Sequence, residues 1–282
     1  RGFDSQNTAV LINGIPVNDM ENGRVYWSNW SGLTDVVSAM QVQRGLGASK
    51  LAISSVGGTI NVLTKSTELT KGGKIAATVG NDGYMKTVMS YNTGEMEGGS
   101  ALSFLFSRVE GDGYVNGTSF EGYNYFLGYG WESDDDKHNV QVIVTGAPQT
   151  HNQRTSSFYN MADAGDYEQY GIRYNYNHGY LNGQEFNWRR NFYHKPIASV
   201  NWEYEINSTT NLSASAYYSV GRGGGTGDIG RLGGNYASSS RFRNAITGEV
   251  EWDQIVRSNS GQGGNWSGGY SYNNVVDAAT GL

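Results

Sequence analysis

Between residues 123 and 219 the chain repeatedly alternates its side chains with a period of two. Tyr123, Tyr125, Leu127, Tyr129 and Trp131 share one face, while Asn124, Phe126, Gly128 and Gly130 take the other. Val140, Val142 and Val144 oppose Asn139, Gln141, Ile143 and Thr145. Ala198, Val200, Trp202 and Tyr204 oppose Ile197, Ser199, Asn201, Glu203 and Glu205, and Leu212, Ala214, Ala216 and Tyr218 oppose Ser213, Ser215, Tyr217 and Ser219. Successive side chains of an extended backbone point to opposite sides, so this pattern predicts half-buried β-strands rather than amphipathic helices. Weaker alternation predicts further strands at 74–80, 84–92 and 100–109.

The connections carry a second pattern. Gly94 to Gly99, Ser133 to Lys137 and Asn207 to Thr210 are short polar turns. Gly111 to Gly122 is longer, Gln149 to Phe192 much longer, and from Gly221 onward no clear strand is predicted. Short and long connections thus alternate, with one exception, the tight turn Gly80-Asn81-Asp82-Gly83. Two all-β architectures fit alternating strands: a soluble sandwich, or a transmembrane barrel with short turns at one end and long loops at the other. Ser, Asn, Gln, Glu and Gly on the face opposite the apolar one favour the barrel, whose interior is wet. Tyr123, Trp131, Trp202 and Tyr204 near strand ends fit aromatic girdles at a membrane interface. With 41 Gly but only 3 Pro, and 13% aromatic residues, the chain is unlike collagen or a disordered linker. It has no apolar run near the ~18 residues that mark a transmembrane helix, but a barrel strand crosses with about 10 alternating ones. A net charge of −6 disfavours nucleic acid, and the absence of Cys excludes disulfides and Cys-ligated metals.

Residues 1–65 differ in texture, mixing short apolar runs, glycine turns and one possible helical turn from Leu33 to Met40. They carry four motifs in order: Arg1-Gly2-Phe3, Val10-Leu11-Ile12-Asn13-Gly14-Ile15-Pro16-Val17, Met40-Gln41-Val42-Gln43-Arg44-Gly45 and Val56-Gly57-Gly58-Thr59-Ile60-Asn61-Val62-Leu63-Thr64-Lys65. Asn13-Gly14 between apolar runs is a hairpin-turn signal, and Gly57-Gly58 permits a bend or close approach that a β-carbon would block. Together these motifs resemble the plug of TonB-dependent outer-membrane receptors. The sequence departs from that pattern at Asn13, where Asp is common, at Leu46 in place of Pro, and at Ile53-Ser54-Ser55 in place of Tyr-Gly. The junction from Gly146 to Gln153 resembles receptors of the Bacteroidetes type.

The resemblance implies an all-β fold with a small α+β plug, part of a transmembrane β-barrel of about 22 strands with an internal plug. Residues 1–65 would be the C-terminal part of the plug, 66–73 a linker, and 74–282 the first strands and extracellular loops of the barrel. Arg1 reads as the middle of a domain, so a longer polypeptide is expected, with any TonB box upstream of Arg1. The implied function is TonB-dependent active transport of a nutrient (a glycan, a peptide or a metal chelate) across the bacterial outer membrane. Ligand would bind at the plug apices and extracellular loops, and TonB would then displace the plug. The implied partners are TonB with its inner-membrane energising complex, outer-membrane lipid, the nutrient and a surface lid lipoprotein. The alternative is a receptor used mainly for signalling or adhesion. In the resemblance, arginines such as Arg1 and Arg44 pair with carboxylates on the barrel wall and lock the plug. A solvated arginine at a strand end is the competing reading.

Candidate ligand contacts cluster in two places. The segment after the first hairpin offers Asn22, Arg24, Tyr26, Trp27, Asn29 and Trp30, which can stack on a ring or meet an anionic group. Equally, Trp27 and Trp30 can pack plug against wall. The long loop offers Tyr174, Tyr176 and Trp188, an aromatic load suited either to binding or to holding the loop to itself. Enzymatic chemistry has little support. His138, His151, His178 and His194 are scattered without metal-ligand spacing, and Asp134-Asp135-Asp136 lacks the rest of a calcium loop. The glycine run from Gly221 to Gly227 lacks the Lys-Ser/Thr of a phosphate loop, so no cofactor is expected.

Overall fold

The structure, a computed structural model, describes residues 4–30, 36–45, 56–64, 66–67, 69–154, 162–237 and 239–272. Its first sheet is small. Strands β1 (Thr8–Ile12), β2 (Ile15–Pro16), β3 (Ala39–Arg44) and β4 (Gly58–Leu63) lie in the order β2-β1-β4-β3, with β1 and β4 parallel. Asn13 and Gly14 both adopt positive φ in the β1–β2 turn, as the sequence signal requires. Asn13 also bonds Thr64 twice, receiving the Thr64 N–H at 2.8 Å and donating to Thr64 Oγ1 at 2.9 Å. Gly58 has φ +123°, and a β-carbon there would stand 2.5 Å from the Gln43 carbonyl, so glycine is needed for β4 to pair with β3. The helical turn expected from Leu33 to Met40 is not borne out at its end. Residues 31–35 lie outside the described residues, and Ala39 and Met40 belong to β3, where pairing with β4 overrides local propensity.

The second sheet is the wall. It comprises β5 (Gly72–Val79), β6 (Met85–Asn92), β7 (Ser100–Gly111), β8 (Phe120–Glu132), β9 (His138–Gly146), β10 (Gln149–Asn152), β13 (Arg190–His194), β14 (Ile197–Asn207), β15 (Thr210–Ser219) and β16 (Arg222–Gly225). These ten strands make seven consecutive antiparallel staves, because β10 continues β9, β13 runs into β14, and β16 continues β15. The seven staves coincide with the seven alternating stretches. Their interruptions have a chemical cause: Pro148 and Pro196 have no N–H for the ladder and both fall in the gap between the paired Thr145–Ile197 and Gln149–Tyr193, with Gly221 at the third break. β10 and the start of β13 fall inside the long loop expected from Gln149 to Phe192, since the breaks leave each only a few residues in which to alternate.

Burial assigns the two faces of the wall. Along β7, Ala101, Ser103, Leu105 and Ser107 are buried, while Leu102, Phe104 and Phe106 are exposed. Along β8, Asn124, Phe126, Gly128 and Gly130 are buried, and Leu127 and Tyr129 face out. Cross-strand register joins the outward residues into one apolar belt: Met89 opposes Phe106, Phe104 opposes Leu127, Leu127 opposes Val144, and Val142 opposes Val200. At the short-turn end, His138 stacks on Tyr204 (4.3 Å between rings, 6° apart) and accepts from Trp202 Nε1 at 3.2 Å. At the long-loop end, Arg108 bridges Glu110 (2.6 Å) and Glu121 (2.8 Å) on the same outer face.

Beyond the wall, the long connections fold together. Helix α1 (Ala164–Tyr170), capped by Asp163, precedes the hairpin β11 (His178–Leu181)–β12 (Gln184–Asn187). The chain after β16 supplies β17 (Val250–Glu251), which runs parallel beside β11, helix α2 (Trp252–Asn259), and the pair β18 (Gly264–Asn265)–β19 (Ser271–Tyr272). Leu232, Phe242, Val250, Trp252, Ile255 and Trp266 form the core of this lobe. The expectation that no clear strand follows Gly221 is thereby corrected. Strands of two residues and a helix of eight are too short to leave a periodic signature.

Candidate functional site

The small sheet packs against the inner face of the wall. Val10, Ile12, Ile15, Val17, Val25 and Trp30 form one buried cluster with Val88, Leu105, Phe126, Ile143 and Ile197, which come from β6, β7, β8, β9 and β14. Each large apolar side chain buried this way contributes roughly 1.5–3 kcal/mol, so the cluster fixes the sheet against the wall as a plug. The link between the two runs along the inner face of β8 and β9. Ser66 N–H donates to Gln141 Oε1 at 3.4 Å, and Gln141 Nε2 donates to Thr67 Oγ1 at 3.3 Å. Thr67 Oγ1 donates to Glu132 Oε1 at 3.4 Å, and Asn139 Nδ2 donates to the same oxygen. Lower on this face, Asn13, Gln41 and Asn61 of the plug and Gln141, Asn201 and Ser213 of the wall line a polar gap of about 380 Å³. One side of the plug is therefore dry and the other amide-lined.

The candidate residues of the plug separate by burial. Trp30 is 8% exposed and Asn29 7%, and Trp30 belongs to the plug–wall cluster. Trp27 is 54% exposed and Tyr26 48%. Asn22 Nδ2 donates to the Tyr26 hydroxyl at 2.9 Å, and Arg24 lies 3.5 Å from Asp4 with both side chains open to solvent. The structure thus brings Asn22, Arg24, Tyr26 and Trp27 to the surface and draws Asn29 and Trp30 inward. Arg1 lies outside the described residues. Arg44 is exposed at the end of β3, and no described carboxylate is within ion-pair distance of it.

In the lobe, Tyr174 is 5% exposed. Its hydroxyl donates to the Gly248 carbonyl (2.9 Å) and accepts from Arg243 Nη1 (3.0 Å). Burial pushes the Tyr174 phenol up to about 12, because the phenolate would be stripped of water. The Arg243 guanidinium lies 3.4 Å from the Tyr176 ring centre, and its Nη2 donates to the Tyr176 carbonyl at 2.6 Å. Trp188 donates to Asn177 Oδ1 at 3.1 Å and carries the Arg189 guanidinium 5.2 Å over its ring. Sequence reading did not single out Arg243. Its only sequence signal is the Arg241-Phe242-Arg243 triplet, a pair of arginines around one aromatic residue. The tight Gly80–Gly83 turn, the exception among the loops, is tied to this end by Asp82, which accepts from Arg173 at 2.6 Å. Among the described residues no group of His, Asp or Glu is arranged to hold a metal ion.

No family model matches the chain. Over 74 aligned residues it is 30% identical to a probable TonB-dependent siderophore receptor, PirA, of Acinetobacter baumannii, a match covering 23% of this chain and 10% of that one. Solved structures of similar fold include the unliganded ferric citrate transporter FecA, with a TM-score of 0.59 at 16% identity over 80% of this chain and 33% of that one. The ferric yersiniabactin uptake receptor FyuA from Yersinia pestis gives 0.59 at 13% identity, over 80% and 34%. The siderophore receptor PiuA from Acinetobacter baumannii gives 0.57 at 15%, over 79% and 30%. At such identities the likeness is one of fold: the chain has the plug-and-barrel architecture of TonB-dependent receptors. It spans about a third of the length of these structures and a tenth of the curated relative.

Proposed function

We propose that the protein is a transport receptor of the bacterial outer membrane, not an enzyme, and that it imports a nutrient in a TonB-dependent manner. The observation that carries this reading is the plug–wall cluster, in which Val10, Ile12, Ile15 and Trp30 fill the inner face of strands whose outer face is an apolar belt. A plugged wall makes sense where passage must be gated. The outer membrane has no ATP of its own, so uphill import needs a mechanical pull from TonB and its energising complex on the plug. Ligand is met at the exposed plug residues Asn22, Arg24, Tyr26 and Trp27 and at the lobe around Trp188. Tyr174 and Tyr176, clasped by Arg243, keep the lobe in shape for it, and Asn29 and Trp30 seat the plug. Arg1 and Arg44 serve as plug–wall locks, with partners in wall strands beyond those of this chain.

Relatives named for siderophores and ferric chelates favour a metal chelate as the cargo. The Bacteroidetes-type likeness of Gly146–Gln153 favours a glycan or peptide, delivered under a lid lipoprotein. A growth assay separates them. A strain lacking the gene is grown on media limited in iron, copper, cobalamin, glycans or peptides, with and without intact TonB. The proposal expects a growth defect on one such medium only where TonB is present. An equal defect in cells lacking TonB would contradict it.

A further inference from the structure

The lobe encloses a cavity of about 680 Å³ between the β12–β13 corner, the segment 226–232 and helix α2. This is within the ~300–1,000 Å³ typical of small-molecule sites. Its walls include Phe186, Trp188, Phe242, Trp252 and Ile255, with Phe186 edge-on to Trp252 at 5.1 Å. Val256, 49% exposed, and the fully exposed Ile229 also line it, which places them at its opening. A space with aliphatic and aromatic walls gains most from a flat apolar body.

The charges on this cavity are unbalanced. Arg190 and Arg231 line it, and Arg189 covers Trp188. Among the described residues none of the three is in an ion pair. Arg190 spends Nε on Thr150 Oγ1 at 2.9 Å, and its two Nη atoms have no hydrogen-bond partner among the described residues. Arg231 donates one bond, from Nη2 to the Tyr236 hydroxyl at 2.8 Å. Against them stand one lining carboxylate, Asp228, which accepts from Ala237 N–H at 3.3 Å, has its pKa raised by burial and feels Arg189, and Glu121 of the adjoining cleft, on which Arg190 also acts. Guanidinium groups in such a setting are forks awaiting an oxyanion.

The geometry points to a second binding site, where the lobe meets wall strand β13, for an aryl carboxylate: its ring lies against Trp188, Phe186 and Trp252, and its carboxylate meets Arg190 and Arg231. The site gives Trp188 a specific role, yet it needs neither plug, TonB nor transport in order to bind. The test is titration calorimetry of the native protein in lipid nanodiscs, with empty nanodiscs subtracted, using 1-naphthoate and the neutral 1-naphthalenemethanol. The expected result is saturable binding of naphthoate about tenfold or more tighter than of the alcohol, as the loss of a charge-assisted bond would give. Val256→Trp, at the half-exposed mouth, abolishes binding of both probes. Arg190→Gln with Arg231→Gln brings naphthoate down to the affinity of the alcohol. Absence of saturable naphthoate binding, equal affinity for the alcohol, or indifference to either variant overturns the site. A protein that binds naphthoate as described but shows no TonB-dependent growth phenotype leaves this site standing and refutes the transport reading instead.

Discussion

Gly130 faces Thr67 so closely that a β-carbon on the glycine would stand 2.7 Å from the threonine Cγ2. One residue pair earlier on the same strand face, Gly128 meets Ser66 in the same way, and Ser66 is buried. The two inward glycines of β8 therefore form the track along which the chain leaves the plug and enters the wall. Placing a side chain there forces the linker off the wall. Gly128→Val is expected to destabilise the folded protein by about 1–3 kcal/mol through overpacking. The control is Gly72→Val, where a β-carbon meets nothing within 4 Å. The check is the temperature at which the membrane-extracted protein loses its compact, heat-modifiable band. It falls for Gly128→Val and stays for Gly72→Val.

Trp27 and Trp30 lie in one short 3-10 turn and have opposite fates. Trp30→Ala opens a cavity in the plug–wall cluster and is expected to cost about 3–5 kcal/mol. Trp27→Ala, at an exposed position, stays within about 0.5 kcal/mol. Denaturant titration of the purified protein checks both values. If Trp27 contacts ligand, its substitution also weakens nutrient-dependent growth while leaving the midpoint unchanged.

The lobe carries its own pH dependence. With the Tyr174 phenol raised to about 12 against an ordinary value of about 10, folding favours the neutral form. This contribution is complete below about pH 10 and is lost as pH rises from there through about 12, a change of roughly 2–3 kcal/mol. Limited proteolysis across that range should show the lobe opening in alkali while the wall persists. Tyr174→Phe is expected to remove this alkaline step, at a cost of about 1 kcal/mol near neutral pH from its lost hydrogen bonds.

Alternation in the sequence reports directly which face of a strand is wet. For that reason all seven staves, and the faces of β8, β9 and β14, were legible from residue types alone. The plug hairpin was equally plain, because Asn13-Gly14 has few alternatives to a tight turn. Three features were not legible. Pro148 and Pro196 break staves at a common level, a relation that appears only once β9 and β14 are known to be neighbours. The lobe draws its core from single residues scattered between Leu232 and Trp266, against which Leu181 and Trp188 pack from before β13, so no stretch shows a pattern by itself. Tyr174 and Trp27 look alike in sequence as aromatics in polar loops, and it is partners distant in sequence, Arg243 and the Gly248 carbonyl, that hold Tyr174 inside.

In the proposed receptor one face of the wall sees lipid and the other sees the plug, and cysteine chemistry distinguishes the two faces because these strands have no Cys. Leu127, 54% exposed, and Ser103, 2% exposed, lie on adjacent strands and opposite faces. Each is replaced by cysteine in the native protein, labelled with a small fluorophore and reconstituted in bilayers whose acyl chains carry bromine. Strong quenching is expected at position 127 and none at 103. Equal quenching at both positions, or labels at both that respond only to a water-soluble quencher, would contradict it.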